Sequence, residues 1–348
     1  MIINLVRELS ARTDLSITVL GNHSDHRRLG EISEGLLDRC ALRSFWAKPS
    51  AQQLVWYFTN LPKGEFYEPA CDVVWCPAES YVPTSKAKLI VGVHDAAYFD
   101  EVTDKKAVSF RLQSWKWRAL YHRLATVGAQ LYTISEFSAL RLESHFPELK
   151  NKIKVVHHGV DPLFLEQPAP GLEDRLTRWG LKPRKYVFLP GGFSFRKNGP
   201  LVEKAWPMIS SAFPGYQLAS LGGGPRNLSG CISLGWVSDS QLRDLYRGAM
   251  VTWFPSRYEG FGLPVIESMA SGTPVVASRV SALPEVAGDA ALLCPVDEPH
   301  FHAQAVSDLL SDSGTWHLLS SAGLMRADLF TWAKASDKLA QLFTARQQ

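Results

Sequence analysis

Short runs of apolar and β-branched residues alternate along this chain with longer segments that have a helical pattern of apolar positions. Such runs predict buried strands, and the segments between them predict helices. The runs form two series, at residues 15–20, 73–76, 89–93, 130–134 and 154–157, and then at residues 186–189, 217–221, 251–254, 274–277 and 290–294. This alternation is typical of βα units on a mostly parallel sheet, so we expect an α/β protein with two doubly wound domains.

The two series are separated by residues 159–184, where prolines and glycines interrupt any long periodic pattern. We place a domain boundary near Pro168, which gives an N-terminal domain at residues 1–167 and a C-terminal domain at residues 168–330. The length of 348 residues suits two domains, each with its own core. The last stretch is helical in pattern, and we expect residues 331–348 to form a helix that packs back towards the N-terminal domain.

Composition and charge narrow the class of protein without indicating a function. Apolar residues make up 46% of the chain and charged residues 20%, as in ordinary soluble globular proteins. The net charge of +3 is too small to indicate nucleic acid as a ligand. The five cysteines are scattered, without the paired spacing of a zinc site or a disulfide framework, so we expect reduced thiols.

The chain shows no sequence signal for insertion into a membrane. It lacks a run of the ~18 to 20 apolar residues that a spanning helix needs. Arg7, Glu8 and Arg12 lie where a signal peptide has its apolar core. We therefore expect a cytoplasmic protein, whose membrane contact, if it has any, is peripheral at the inner face.

The segment from Trp253 to Gly288 contains the strongest candidate for a ligand site. Residues 251–254 read as a buried strand, residues 255–263 as a glycine-rich loop and residues 264–271 as a helix. The free N–H groups at the start of such a helix, together with its dipole, favour a phosphate, and glycines in the loop let a ligand approach the backbone closely. The dipole contributes only ~0.3 to 1 kcal/mol at exposed sites, so a diphosphate needs further cations.

Charged residues at two loops complete this candidate site. Arg196 and Lys197 follow the predicted strand at residues 186–189, and we expect their loop to face the same crevice as the glycine-rich loop. Lys197 can then neutralise a diphosphate. Glu259 and Glu267 flank the glycine-rich loop, and each carboxylate can accept two hydrogen bonds from a vicinal diol. One glutamate for a hexose and one for a ribose fits a nucleotide-sugar.

The residues from Ser256 to Ala277, SRYEGFGLPVIESMASGTPVVA, closely resemble the EX7E region of family 4 glycosyltransferases, and LPEVAGDAA at residues 283–291 continues the likeness. The resemblance covers nearly the whole chain, with further matches in the family's order at residues 93–95, 134–138, 158–161, 195–198 and 234–239. It implies the GT-B fold, in which two Rossmann-like domains face a central cleft.

The resemblance also implies a role for individual residues. Glu259 is expected to contact the donor sugar, Glu267 the ribose, and the loop around Gly235 to Val237 the base. The candidate donor-binding residues are Arg196, Lys197, Gly235, Val237, Glu259, Gly260, Phe261, Gly262, Leu263 and Glu267. The resemblance places His94 beside the donor sugar, and the candidate catalytic residues are Glu259, His94 and Lys197.

The activity implied by the resemblance is retaining transfer of a hexose from a nucleotide-diphosphate sugar to a glycan or lipid-linked acceptor, in surface polysaccharide biosynthesis. We expect no metal cofactor, because the sequence lacks a convincing carboxylate cluster or Cys/His ligand spacing. Similarity to the mannosyltransferase-like branch at residues 195–198 and 259–264 makes GDP-mannose the leading donor hypothesis.

Simpler structural interpretations stand beside these. His94 could be a packed or hydrogen-bonded residue at a strand end, and Lys197 a surface lysine. Residues 105–123 carry basic and aromatic side chains without an acid, namely Lys105, Lys106, Phe110, Arg111, Trp115, Lys116, Trp117, Arg118, Tyr121 and Arg123. This segment could lie on an anionic membrane, as suits a lipid-linked acceptor, or present a solvated basic face over aromatic residues packed on the sheet.

The sequence departs from the family at two places. Relatives usually have a strand and a glycine-rich loop before the helix predicted at residues 2–10, so we expect either that the start of the sequence is misassigned or truncated, or that the N-terminal domain lacks that strand and loop. Gly191 replaces an arginine that many relatives carry. Two alternatives therefore remain: a non-catalytic nucleotide-sugar-binding partner subunit, and another GT-B reaction such as that of an epimerase or phosphorylase.

Overall fold

The computed structural model describes residues 2–22, 27, 35–100, 108–167, 170–225 and 228–345, and gives only the backbone for residues 37 and 108–113. The chain divides into two compact units, unit 1 with Met1–Gly159 and Trp332–Gln348, and unit 2 with Val160–Thr331. Val160 forms a parallel bridge with Thr331, and its N–H donates to the carbonyl of Phe330 at 2.9 Å. The boundary expected near Pro168 falls outside the described residues, and the structure divides the chain before that position.

Unit 1 is built on parallel strands. Its described residues form a sheet of two strands, β1 Thr18–Gly21 and β2 Ala41–Ser44, and a sheet of four strands in the order β3 Val73–Cys76, β4 Lys88–Gly92, β5 Gln130–Thr133 and β6 Ile153–Val155. Its helices are Ile2–Ser10, Pro49–Thr59, Gly64–Tyr67, Val108–Thr126, Glu136–His145 and Trp332–Thr344, with 3-10 turns at Leu36–Arg39 and Pro147–Leu149.

Successive residues of β4 enter different clusters of the core of unit 1, because side chains alternate between the faces of a strand. Leu89 and Val91 pack in one cluster with Leu124 of the helix Val108–Thr126. Ile90 packs in another cluster with residues of the first and last helices, namely Leu5, Leu9, Trp332 and Leu339. The helix Trp332–Thr344 therefore belongs to unit 1 although it follows unit 2 in the chain.

Unit 2 has one parallel sheet. Its described strands are β7 Tyr186–Leu189, β8 Gln217–Ser220, β9 Cys231–Ser233, β10 Val251–Phe254, β11 Val275–Ser278 and β12 Ala291–Cys294. Its helices are Leu172–Thr177, Gly199–Ala212, Asp239–Gly248, Leu263–Ala270, Leu283–Ala287, Pro299–Ser311 and Ser313–Ala327, with a 3-10 turn at Pro162–Phe164. All residues of β7, β10 and β11 are buried, as the apolar runs of parallel sheets require.

The strand order of this sheet is β12-β11-β10-β7-β8-β9. Strands β8 and β9 follow one another on one side of β7, and strands β10, β11 and β12 follow one another on its other side. The strand order therefore reverses between β7 and β10, which are hydrogen-bonded neighbours. In open α/β sheets, ligands bind at the carboxyl ends of the strands where the order reverses. The loops after β7 and β10 are thus the place to look for a site.

The α/β class and the parallel arrangement of strands predicted from the sequence are confirmed, and β3, β7 and β10 have the predicted limits. The strands β2 and β9 were not predicted. Their side chains are exposed or only partly buried, so they lack the apolar run that marks a central strand. No helix in the described ranges is both long enough and apolar enough to cross a membrane.

Candidate functional site

The loops that follow β7 and β10 are joined directly. The first, residues 190–198, leads into the helix Gly199–Ala212, and the second, residues 255–262, leads into the helix Leu263–Ala270. The backbone N–H of Arg257 donates to the carbonyl of Arg196 at 2.8 Å. This bond holds the two loops in a fixed register at the point where the strand order reverses.

Two cations surround the carboxylate of Glu259 at this point. Lys197 Nζ lies 2.5 Å from Glu259 Oε1, and the side chains are only 15% and 10% exposed. Arg196 donates to Glu259 Oε2 at 3.3 Å and to the carbonyl of Tyr258 at 3.2 Å. The three side chains together have one positive charge in excess, which favours an anionic ligand.

The position of Lys197 depends on the residues around its stem and its ammonium group. Its Nζ lies 4.7 Å from the centre of the Phe254 ring. A Cβ atom added to Gly191 would lie 3.0 Å from Cδ of Lys197, so glycine at this position leaves room for the stem. Burial lowers the pKa of Lys197, and the charge of Glu259 opposes this shift. The space beside Gly191 is thus used by Lys197, while Arg196 supplies a second cation.

The helix start beside Glu259 requires glycine at position 262. Gly262 caps the helix with a φ of 104°, in the region that residues with a side chain rarely adopt. A Cβ atom at Gly262 would also lie 2.7 Å from Cδ2 of Leu283. The neighbouring Phe261 is buried and packs edge-on against Phe330, with ring centres 5.6 Å apart. In this loop, therefore, the Phe261 ring packs in unit 2.

Glu267 lies on the helix that begins at this loop, and the residue is partly buried. The hydroxyl of Tyr246 donates to Glu267 Oε2 at 3.0 Å. Burial raises the pKa of Glu267 to about 7, the bond from Tyr246 opposes this shift, and the charges of Asp239 and Asp161 add to it. A ligand that donates hydroxyl groups to this carboxylate would favour its ionised form.

The loop that was expected to hold a base follows β9, at the edge of the sheet. Gly235 adopts a φ of 67° and forms an antiparallel bridge with Gly222. Val237 is partly buried, and Trp236 between them is 89% exposed. Because β9 is the third strand from β10, the two strand ends are roughly 14 Å apart at the usual spacing of strands. Only an extended ligand can reach both loops.

His94 belongs to unit 1 and follows the end of β4. Its backbone N–H donates to Glu79 Oε1 at 2.7 Å, and its ring Nδ1 lies 3.2 Å from Glu79 Oε2. Burial lowers the pKa of His94, but the hydrogen bond and charge of Glu79, with the charge of Asp95, raise it on balance. Glu79 was not predicted from the sequence. The only available signal was its place just after the strand at residues 73–76.

Residues 105–123 form part of the helix Val108–Thr126 where the structure describes them. Lys105 and Lys106 lie outside the described residues, and the side chains of Phe110 and Arg111 are not described. The guanidinium of Arg118 lies 5.0 Å from the centre of the Phe99 ring. The guanidinium of Arg123 lies 5.2 Å from the centre of the Tyr81 ring. Tyr121 is buried, whereas Trp115 is 70% exposed. The packing interpretation thus accounts for Arg118, Tyr121 and Arg123, and leaves Trp115 available for contact.

The region that contains the loops after β7 and β10 is similar to known proteins. Residues 184–312 match the family described as Glycosyl transferases group 1. The chain is similar to O-antigen chain mannosyltransferase B of Escherichia coli, with 29% identity over 75% of this chain and 71% of that protein. It is also similar to the D-inositol 3-phosphate glycosyltransferase of Streptomyces bingchenggensis, with 36% identity over 62% of this chain and 53% of that protein.

Solved structures confirm the fold. The similarity to WaaG, a glycosyltransferase involved in lipopolysaccharide biosynthesis, covers 95% of this chain and 100% of the WaaG chain, with a TM-score of 0.67 and 14% identity. The similarity to HepE from Anabaena, determined in complex with UDP and glucose, covers 99% of this chain and 95% of the HepE chain, with a TM-score of 0.68 and 15% identity. The expected GT-B fold is therefore confirmed. The residues that match the Glycosyl transferases group 1 family, 184–312, include Arg196, Lys197, Glu259 and Glu267.

Proposed function

We propose that this chain is a retaining glycosyltransferase of family 4 that moves a hexose from a nucleotide-diphosphate sugar to a glycan or lipid-linked acceptor in surface polysaccharide biosynthesis. The observation that carries the proposal is the contact between Lys197 and Glu259 at the reversal of strand order in a glycosyltransferase domain. In the donor, the diphosphate is bonded directly to the sugar. A cation that binds the diphosphate and a carboxylate that binds the sugar must therefore lie side by side, as Lys197 and Glu259 do.

Lys197 and Glu259 would exchange partners when the donor binds. A phosphate oxygen replaces the carboxylate beside the ammonium group, and Glu259 then accepts hydrogen bonds from hydroxyl groups of the sugar. As the bond from the sugar to the diphosphate breaks, negative charge grows on the leaving phosphate. A fixed ammonium in a site with little water stabilises that charge strongly. The family resemblance implies front-face displacement, in which the leaving phosphate helps to deprotonate the acceptor.

We propose that the reaction needs no metal cofactor, because Arg196, Lys197 and the helix start supply positive charge at the diphosphate. In the part of the chain that the structure describes, no three His, Cys, Asp or Glu side chains are grouped so that they could hold a metal ion. The addition of a chelator to the transfer assay should leave the rate unchanged.

The leading donor is GDP-mannose, a hypothesis supported by the similarity to O-antigen chain mannosyltransferase B. The test is a thermal-shift and calorimetric screen of GDP-, UDP- and ADP-sugars, since a ligand that binds only the native state raises its stability. We expect GDP-mannose to bind and to be consumed when an acceptor is present. Binding without any turnover would favour the partner-subunit alternative, and a lack of binding by every nucleotide-sugar would contradict the proposed donor site.

The assignment of Glu267 to the ribose predicts that donor affinity depends on pH. GDP-mannose itself has no group that titrates near neutrality, whereas ribose hydroxyls favour the ionised form of Glu267, whose pKa is about 7. Affinity should therefore rise up to about tenfold between pH 6 and pH 8, as one pKa unit corresponds to tenfold. In Glu267→Gln, calorimetry should show weaker binding at pH 8 and no such rise. Glu203→Gln, at an exposed glutamate of the same unit, is the control.

The same substitution should change the pH dependence of stability in the absence of ligand. The pKa of Glu267 is raised from 4.5 to about 7, so between these values the folded state binds a proton that the unfolded state has lost. The contribution of this group to stability is therefore full below pH 4.5 and is lost as pH rises through 7. Denaturant unfolding of Glu267→Gln should lack this decline. The same decline in wild type and variant would contradict the assigned titration.

We further propose peripheral membrane contact through residues 105–123, carried by the exposed Trp115 and Lys116. Sedimentation with vesicles of phosphatidylglycerol and phosphatidylcholine should show binding that falls at least about fivefold in Trp115→Ala/Lys116→Ala, because one basic residue near an anionic surface contributes ~1 kcal/mol. The control is Trp46→Ala, at a tryptophan of unit 1 that is 100% exposed. An equal loss in both variants would show that the contact is not specific to this helix.

A further inference from the structure

Glu79 contacts His94 through both of its carboxylate oxygens. Oε1 accepts the backbone N–H of His94 at 2.7 Å, and Oε2 lies 3.2 Å from the ring Nδ1. The side chains of His94 and Glu79 are only 23% and 18% exposed. They follow β4 and β3, which are parallel neighbours in one sheet. The two residues therefore meet at the carboxyl edge of that sheet, where ligands of α/β proteins bind.

We propose that Glu79 is a positioning residue that keeps a hydrogen on Nδ1 of His94 and leaves Nε2 as the ring atom that bonds a hydroxyl of the transferred sugar. The proposal rests on the proposed function, because the contact between His94 and the sugar is the one that the family resemblance implies for such an enzyme. The direction of the bond follows from chemistry. An ionised carboxylate can only accept hydrogen bonds, so the ring nitrogen that faces Oε2 must carry the hydrogen. This is true for both the neutral and the protonated ring.

The groups around this pair agree with that arrangement. Burial raises the pKa of Glu79, but its bonds from His94 lower it on balance, so the carboxylate is ionised at neutral pH. The ring of His158 lies 6.0 Å from that of His94, and burial lowers the pKa of His158 to about 3, so His158 contributes no positive charge there. The hydroxyl of Thr133 lies 3.4 Å from the carbonyl of His94. Glu79 and the adjacent Asp95 are the charged groups that act on the ring.

The substitution Glu79→Gln is a sharp test because the two ends of an amide are different. The backbone N–H of His94 needs an acceptor, so the amide oxygen must take the place of Oε1. The NH₂ group then faces Nδ1 and can only donate. Nδ1 must become the acceptor, and the hydrogen of the neutral ring moves to Nε2. The substitution keeps the shape of the side chain and reverses the tautomer of His94.

The tautomer can be measured in the full chain labelled with ¹⁵N-histidine, by long-range ¹H–¹⁵N correlation of the imidazole rings, with His94→Gln used to assign the signals. In the native protein we expect the Nδ1–H tautomer at His94, and in Glu79→Gln the Nε2–H tautomer. The native spectrum alone can overturn the proposal, whatever the behaviour of the variant. An Nε2–H tautomer in the native protein, or an unchanged tautomer in a folded Glu79→Gln protein, contradicts it.

The second readout is sugar transfer, with Glu148→Gln as the matched control. Glu148 contacts His122 Nδ1 at 2.5 Å in the same unit, but His122 is 63% exposed. In Glu79→Gln we expect kcat to fall about 5- to 100-fold, the range expected when one buried polar group is mispaired. KM for the donor should change little, and Glu148→Gln should be fully active. A reversed tautomer with unchanged kcat would contradict the positioning role. Native protein that binds no nucleotide-sugar would contradict the proposed function instead, and the tautomer measurement would remain valid.

Discussion

Replacement of Lys197 by alanine is expected to lower the turnover of sugar transfer by roughly 10² to 10³, the range seen when one donor to a developing negative charge is removed. The reason is the position of its ammonium group, which lies 2.5 Å from Glu259 at the reversal of strand order. The group is mostly shielded from solvent, where the stabilisation of a leaving phosphate is larger than in water. The measurement is kcat with saturating donor and acceptor.

The control for this substitution is Lys185→Ala. Lys185 precedes β7, whereas Lys197 follows it, so the two lysines lie at opposite ends of one strand. Both ammonium groups lie close to an aromatic ring. Nζ of Lys185 lies 5.0 Å from the centre of the Tyr216 ring, and Nζ of Lys197 lies 4.7 Å from the centre of the Phe254 ring. We expect Lys185→Ala to retain wild-type turnover. Equal losses in the two variants, or full activity of Lys197→Ala, would remove Lys197 from the mechanism.

Replacement of Glu259 by alanine is expected to lower kcat/KM about 10- to 100-fold, which corresponds to the loss of a hydrogen bond to a charged group. The carboxylate is the partner of Lys197 in the free protein, and in the proposed mechanism it also accepts hydrogen bonds from sugar hydroxyls in the complex. Its removal should therefore also reduce stability, because Lys197 remains in a site with little solvent and without its partner. Steady-state kinetics at several donor concentrations measures the fall in kcat/KM.

A double-mutant cycle measures how much the contact between Lys197 and Glu259 contributes to stability. Unfolding by denaturant of Lys197→Ala, Glu259→Ala and the double variant should give a coupling energy of about 1 to 3 kcal/mol, as for residues in direct contact. The comparison is the pair of Arg257 and Asp297, whose side chains are 23% and 63% exposed. Water screens this pair more, and its coupling should be below ~1 kcal/mol. A coupling at Lys197 and Glu259 no larger than at this exposed pair would contradict their assignment as a tightly bound pair.

The central strands could be predicted from the sequence because burial on both faces requires continuous apolar runs, as at β7 and β10. The same rule explains why β2 and β9 were missed, since their side chains are exposed or only partly buried. The meeting of Lys197 with Glu259 was also predictable in outline. Each follows a predicted strand of the same domain, and the carboxyl ends of parallel strands share one edge.

The contact of Glu79 with His94 could not be predicted in this way. A single carboxylate in a loop has no pattern of its own, and its partner depends on the register between β3 and β4. The role of Gly191 was also hidden. From the sequence, Gly191 was only a departure from the arginine that many relatives carry, whereas in the structure the space beside it holds the stem of Lys197. Both facts depend on distances between side chains in the folded structure, which the spacing of residues along the chain does not give.

The bridge between Val160 and Thr331 has a consequence for protein engineering. Unit 2 is one continuous stretch of chain, and its first and last residues are paired. A gene fragment for residues 160–331 would encode this unit with its termini already adjacent, which suits independent expression or circular permutation. Nucleotide-sugar binding by such a fragment could be titrated without interference from acceptor chemistry. The donor preference of the whole chain could then be altered by library selection on a polypeptide of half its length.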